Sequence, residues 1–96
     1  MPSYRVVLTI GALRPGVGPQ TVAPTAADAA AELTVVEATD IAVVAGAARI
    51  TVRFMAEDEA LAVQIAEHTA AATNAAAAVQ NWIVTERVGG SWVRVG

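Results

Sequence analysis

The stretch Arg49-Ile50-Thr51-Val52-Arg53-Phe54-Met55 alternates polar and apolar side chains almost without a break. Successive side chains of a strand point to opposite faces. Ile50, Val52 and Phe54 therefore share one face, and Arg49, Thr51, Arg53 and Met55 share the other. The pattern reads as a strand that packs on a core through one face and leaves the other open. Just upstream, Ala45-Gly46 has the length of a tight hairpin turn. It makes Thr39 to Val44 a partner strand, with Val43 opposite Ala48 and Ile41 opposite Ile50. In that register Asp40 stands opposite Thr51 on the polar face, diagonal to Arg49 and Arg53.

The same parity extends outward. From Tyr4 to Ala12, Tyr4, Val6, Leu8 and Ile10 alternate with Arg5, Val7, Thr9 and Gly11, which predicts the first strand. Arg14-Pro15-Gly16-Val17 has proline and glycine at the central positions of a type II turn. A long loop follows, through Gly18, Pro19 and Pro24. Gly16-Val17-Gly18 does not make a phosphate loop, because Pro15 and Pro19 remove donors and no lysine follows. Thr25, with Asp28 at the capping-box position, predicts a helix from Thr25 to about Leu33. Glu57 to about Ala78 predicts a second helix, with Glu57, Asp58 and Glu59 at the favourable end of its dipole. Leu61, Ile65, Thr69, Ala72 and Ala76 are its expected inward stripe. Val79 to Val88 predicts a fourth strand, Gly89-Gly90 a turn, and Trp92 to Val95 a fifth strand. That turn sets Arg87 opposite Trp92, Glu86 opposite Val93 and Thr85 opposite Arg94.

The 96 residues fit one domain, 1–96, of the α+β class. Both helices are expected on one face of an antiparallel sheet. The β-α-β-β-α-β succession resembles the ferredoxin-like superfold from Tyr4 to Val88, with an extra C-terminal strand. The resemblance is architectural. That superfold hosts ligand-sensing domains, dimeric α/β-barrel enzymes and RNA-binding modules, so it does not select a function.

Composition narrows the chemistry. There is no cysteine, which excludes disulfides, thiolate metal sites and cysteine nucleophiles. There is no lysine, which removes Schiff-base chemistry. His68 is the lone histidine, and the two serines, Ser3 and Ser91, sit at the terminus and beside a turn. These features weigh against an enzyme, and no cofactor is indicated. Asp28 and Glu32 share a helix face, but two carboxylates without a third ligand do not make a metal site. The net charge of −3 disfavours broad nucleic-acid binding and leaves room for a local basic face. The apolar run Val6 to Leu13 is too short to span a membrane, so no membrane partner is expected and a cytoplasmic location is the default.

Parity places Arg5, Arg49, Arg53, Arg87, Arg94 and Trp92 on the open face, among Val7, Met55 and Ile83. Asp28, Glu32, Glu57, Asp58, Glu59 and Glu67 fall on the helical side. Arginine, tryptophan and methionine are enriched at interfaces. The leading expectation is thus a small assembly or binding module that self-associates through this face, as a dimer or larger homo-oligomer. Arg87 and Trp92 are expected to form a cross-strand cation–π pair. A second reading is a small enzyme or ligand sensor. It would hold a small molecule between helices and sheet, in a pocket of Tyr4, His68 and Trp82, with Arg14 in the long loop beside it. A third is anion or single-stranded nucleic-acid binding on the arginines, with Trp92 stacking on a base. The plainest is that the arginines only solvate an exposed sheet.

Overall fold

The computed structural model describes residues 1–96. Tyr4, Val6, Leu8 and Ile10 are buried while Arg5, Val7 and Thr9 are partly exposed, so the period-two pattern of the first strand is the boundary of the core. The elements run β1 (Ser3–Leu13), α1 (Val22–Ala31), β2 (Val36–Val44), β3 (Ala47–Met55), α2 (Glu59–Asn74), β4 (Ala77–Val88) and β5 (Ser91–Val95), with a short 3-10 turn at Pro19–Thr21. The strands form one sheet in the order β2-β3-β1-β4-β5, and every neighbouring pair is antiparallel. Both hairpin registers agree with the expected ones: Ile41 opposite Ile50, and Arg87 opposite Trp92.

Both helices cover the same face. Ile50, Val52, Phe54 and Val84 join the β1 residues beneath Ala26, Ala30, Ala62, Ala66 and Ala70. Alanine buries little area, but it lets helix and sheet approach closely, which keeps the packing dense. Thr69 and Thr73 are fully buried in α2, and each hydroxyl donates to a carbonyl one turn back, Ile65 O at 2.8 Å and Thr69 O at 2.7 Å. Tyr4 stacks on Phe54 with ring centroids 6.2 Å apart.

The helices differ from expectation at their ends. α1 starts at Val22, not Thr25. Val22 is a buried anchor, and Pro24 lies in the first turn, where its missing N–H breaks no bond. The Thr25 hydroxyl donates to Thr21 O at 2.7 Å, so Thr25 lies inside the helix and makes no capping box. α2 is shorter than Glu57–Ala78. Asp58 is its extended N-cap and accepts from the Leu61 N–H at 2.9 Å. At the other end the Asn74 side chain accepts from the Val79 N–H at 3.0 Å, and Ala77 pairs with Leu13 as the first residue of β4. Sheet pairing overrides the helix propensity of the alanine run. The inward stripe is Ala62, Ile65, Ala66, Thr69, Ala70 and Thr73, and Leu61 faces outward. β2 begins at Val36, earlier than Thr39, with a bulge between Val36 and Ala38.

Loss of the α2 cap in Asp58→Ala should cost about 1 kcal/mol. In a domain of this size that lowers the thermal midpoint by about 4–8 °C, readable by calorimetry. Burial, then the carboxylates of Glu86, Asp58 and Glu59, raise the Tyr4 phenol above its ordinary value of 10.0. A raised folded pKa contributes stability that is present below the unfolded value and is lost as pH climbs through the folded one. Tyr4 is the only tyrosine. Its tyrosinate absorbance should therefore emerge together with alkaline unfolding, and Tyr4→Phe should flatten the alkaline limb of stability.

Candidate functional site

The face away from the helices collects charge by register. Arg5 on β1 stands opposite Arg53 on β3 and Thr85 on β4, and Thr85 stands opposite Arg94 on β5. Three arginines thus lie along one cross-strand row, with Arg87 and Trp92 paired at the next same-face position of β4 and β5. Like charges directly opposite one another are destabilising. Two contacts offset that cost. The Arg5 guanidinium lies 3.9 Å from the centroid of the Trp92 ring, and that of Arg53 lies 5.2 Å from it. The Arg53 Nε also donates to Glu37 Oε1 at 3.2 Å.

The cation–π partner of Trp92 is therefore Arg5, with Arg53 beyond it, and not Arg87 as the register suggested. Arg87 Nε instead turns toward Gly89 O at 3.4 Å. An indole is long enough to lean over the small Thr85 and reach the next strand. Thr85 Oγ1 is left buried with no hydrogen-bond partner.

Glu37 was not anticipated on this face. It sits at the β2 bulge, which adds a residue to the strand and breaks strict alternation. Its carboxylate also accepts from Ser3 Oγ at 2.8 Å. No simple sequence signal marks that bulge. Arg5, Arg53, Arg87 and Arg94 thus gather at one end of the face across β3, β1, β4 and β5, and only Arg53 meets a carboxylate, that of Glu37 on β2. Arg49 shares the face but lies near the other end of β3, opposite Thr9 and Ala42.

The remaining expected residues are not brought together. Arg14 donates from Nε to Asn74 O at 3.0 Å and from its terminal nitrogen to Asn74 Oδ1 at 3.2 Å. It caps the C-terminus of α2, where the dipole favours a cation. Tyr4 is part of the buried core. His68 is exposed and meets Glu32, the C-cap of α1, at 2.8 Å, tying the helices together. Trp82 lies on the other flank of α2, beside Glu67, Ala71 and Asn74. Tyr4, His68 and Trp82 therefore line no common pocket. The most enclosed cleft, about 310 Å³, lies elsewhere, among Leu33, Met55, Ala56, Leu61 and Ile65 near the start of α2. No helix is long and apolar enough to cross a membrane.

A double-mutant cycle on thermal stability checks the arginine–indole assignment. The pair Arg5→Ala and Trp92→Ala should couple by about 0.5–1 kcal/mol. The cycle with Arg87→Ala and Trp92→Ala should couple less. The reverse ranking would restore Arg87 as the partner.

No protein-family model, curated protein or solved structure matches the chain.

Proposed function

We propose that this chain is a non-enzymatic binding module whose working surface is the open sheet face, and that its occupant brings negative charge. The observation that carries this reading is the group of Arg5, Arg53, Arg87 and Arg94, of which only Arg53 meets a carboxylate, with Arg5 and Arg53 held against Trp92. A guanidinium fixed on an aromatic face loses little further freedom on binding and still presents its N–H edge to a carboxylate or phosphate. Arg5 covers one face of the indole, so a base has less room to stack there. That favours an acidic partner over single-stranded nucleic acid. The fold is read with it as a ferredoxin-like plan lengthened at one edge. The β-α-β-β-α-β succession and the place of β1 between β3 and β4 support that reading, and β5 adds a strand to the plan.

A second reading keeps the same face and makes the occupant a second copy of the chain. Its support is that the face carries both signs. Glu37 and Asp40 lie on β2 at one side, and Arg87 and Arg94 lie on β4 and β5 at the other. A two-fold axis along β1 would lay the acidic side of one copy over the basic side of the next, with Val7, Met55 and Ile83 between them.

The two readings separate in one experiment. A hexaglutamate peptide and a short single-stranded DNA are titrated at low and high salt, and absolute mass is measured in parallel. Peptide binding that weakens with salt, and that Arg5→Glu or Arg53→Glu abolishes, is the expected result. A salt-sensitive dimer lost in Arg53→Glu and Trp92→Ala would favour the second copy. A monomer that binds neither probe at low salt would remove both readings.

A further inference from the structure

The edge of the sheet at β2 is a separate surface. Ala45 (φ 53) and Gly46 (φ 80) are both left-handed, as the central residues of a type I′ hairpin must be. Such a turn closes with a hydrogen-bonded pair at its flanks, here Val44 and Ala47. Bonded and non-bonded pairs alternate away from it. The amides and carbonyls of Val44, Ala42 and Asp40 therefore face β3. Those of Val43, Ile41 and Thr39 face outward, and no strand lies beyond them.

Natural edges are blunted by brevity, proline, charged side chains or bulges. The opposite edge, β5, is five residues long and carries Arg94. β2 is nine residues long and has no proline, lysine or arginine; its bulge and Glu37 lie at its start, and from Thr39 to Val44 its only charge is Asp40. Its Ile41 and Val43 have core parity, yet they are 60% and 76% exposed, because neither helix extends over them.

We propose that β2 pairs antiparallel with β2 of a second copy, about a two-fold axis at Ile41, joining the two sheets into one. Self-complementarity selects this register. With Ile41 opposite its own copy, Thr39 falls opposite Val43 and Val43 opposite Thr39. Every outward amide and carbonyl of the three residues is then paired, in about six inter-chain hydrogen bonds. A shift that centres the axis on Asp40 sets two aspartates face to face, and one that centres it on Ala42 loses bonds.

The chosen register also sets Asp40 of the copy opposite Ala42. Ala42 is itself opposite Arg49. Arg49 and the copy's aspartate are then two strand spacings apart, about 10 Å between backbones. Only an alanine side chain stands between them, so their side chains can meet. In one chain neither Arg49 nor Asp40 has an ion-pair partner. The two-fold axis would supply both, twice. The surface is distinct from the Arg5–Trp92 face, and the inference does not rest on the reading of that face.

The chain has no cysteine, so single thiols report the register. Ile41→Cys sits on the axis, where a bonded antiparallel pair brings Cα atoms to about 5.5 Å and Cβ atoms to about 5 Å, too wide for an unstrained disulfide but within the span of a short thiol cross-linker. With a short bifunctional methanethiosulfonate it should form a covalent dimer, and Val43→Cys, far from its own copy, should not. Wild type should show twice the 9.8 kDa chain mass by light scattering. Arg49→Asp or Asp40→Arg alone should shift that mass toward monomer, and the two together should restore it. Arg53→Glu and Trp92→Ala should leave it unchanged. A monomer at all concentrations, equal cross-linking of both thiol variants, or a dimer dissolved by the Trp92 change would each overturn the proposal.

Discussion

β1 is hydrogen-bonded on both sides, to β3 and to β4, and the rest of the molecule is arranged around that strand. Its even-numbered side chains must enter whatever covers the sheet, and its odd-numbered ones must face away. Both helices sit on the even side, where Tyr4, Val6, Leu8 and Ile10 are buried. Arg5 is thereby held at the centre of the opposite face, with Arg53 and Thr85 as its neighbours. One alternation in one central strand produces both the core and the charged surface.

Two of the arginines of the charged surface are held in place by other side chains. Arg5 and Arg53 would repel at cross-strand distance, yet both are held against Trp92, and Arg53 is also bonded to Glu37. Such contacts convert mobile side chains into a fixed cationic feature. Under the proposed function, a partner meeting that feature would lose less entropy than one that must order free arginines. By contrast, Arg14 and His68 are engaged within the fold. One closes the end of α2 and the other links α2 to α1.

The two edges of the sheet obey different rules. β5 is short, and its arginine and tryptophan point across the open face. β2 extends past the reach of the helices and keeps a row of outward backbone groups beside Ile41 and Val43. Helix length explains the difference. α1 has only ten residues, about 15 Å of helix, and cannot cover the far end of the β2–β3 hairpin.

Outside the bulges, alternation alone determined which face each strand residue occupies, because the side-chain period of a strand is two and any slip would bury arginines. The tight turns at Ala45-Gly46 and Gly89-Gly90 were equally legible, and with them the pairing of β2 with β3 and of β4 with β5. Tertiary structure decided what spans several strands or many residues. The lean of Trp92 past Arg87 to Arg5 depends on the strand order. The place of Glu37 depends on a bulge. The end of α2 depends on Asn74 and on Arg14, sixty positions away in the chain. Local propensity predicted helix through Ala78, but Ala77 gains more by burial and by pairing with Leu13 than alanine gains in an extra turn of helix. Sequence pattern reports on neighbours one or two bonds away in the ladder. It is silent on side chains that reach farther.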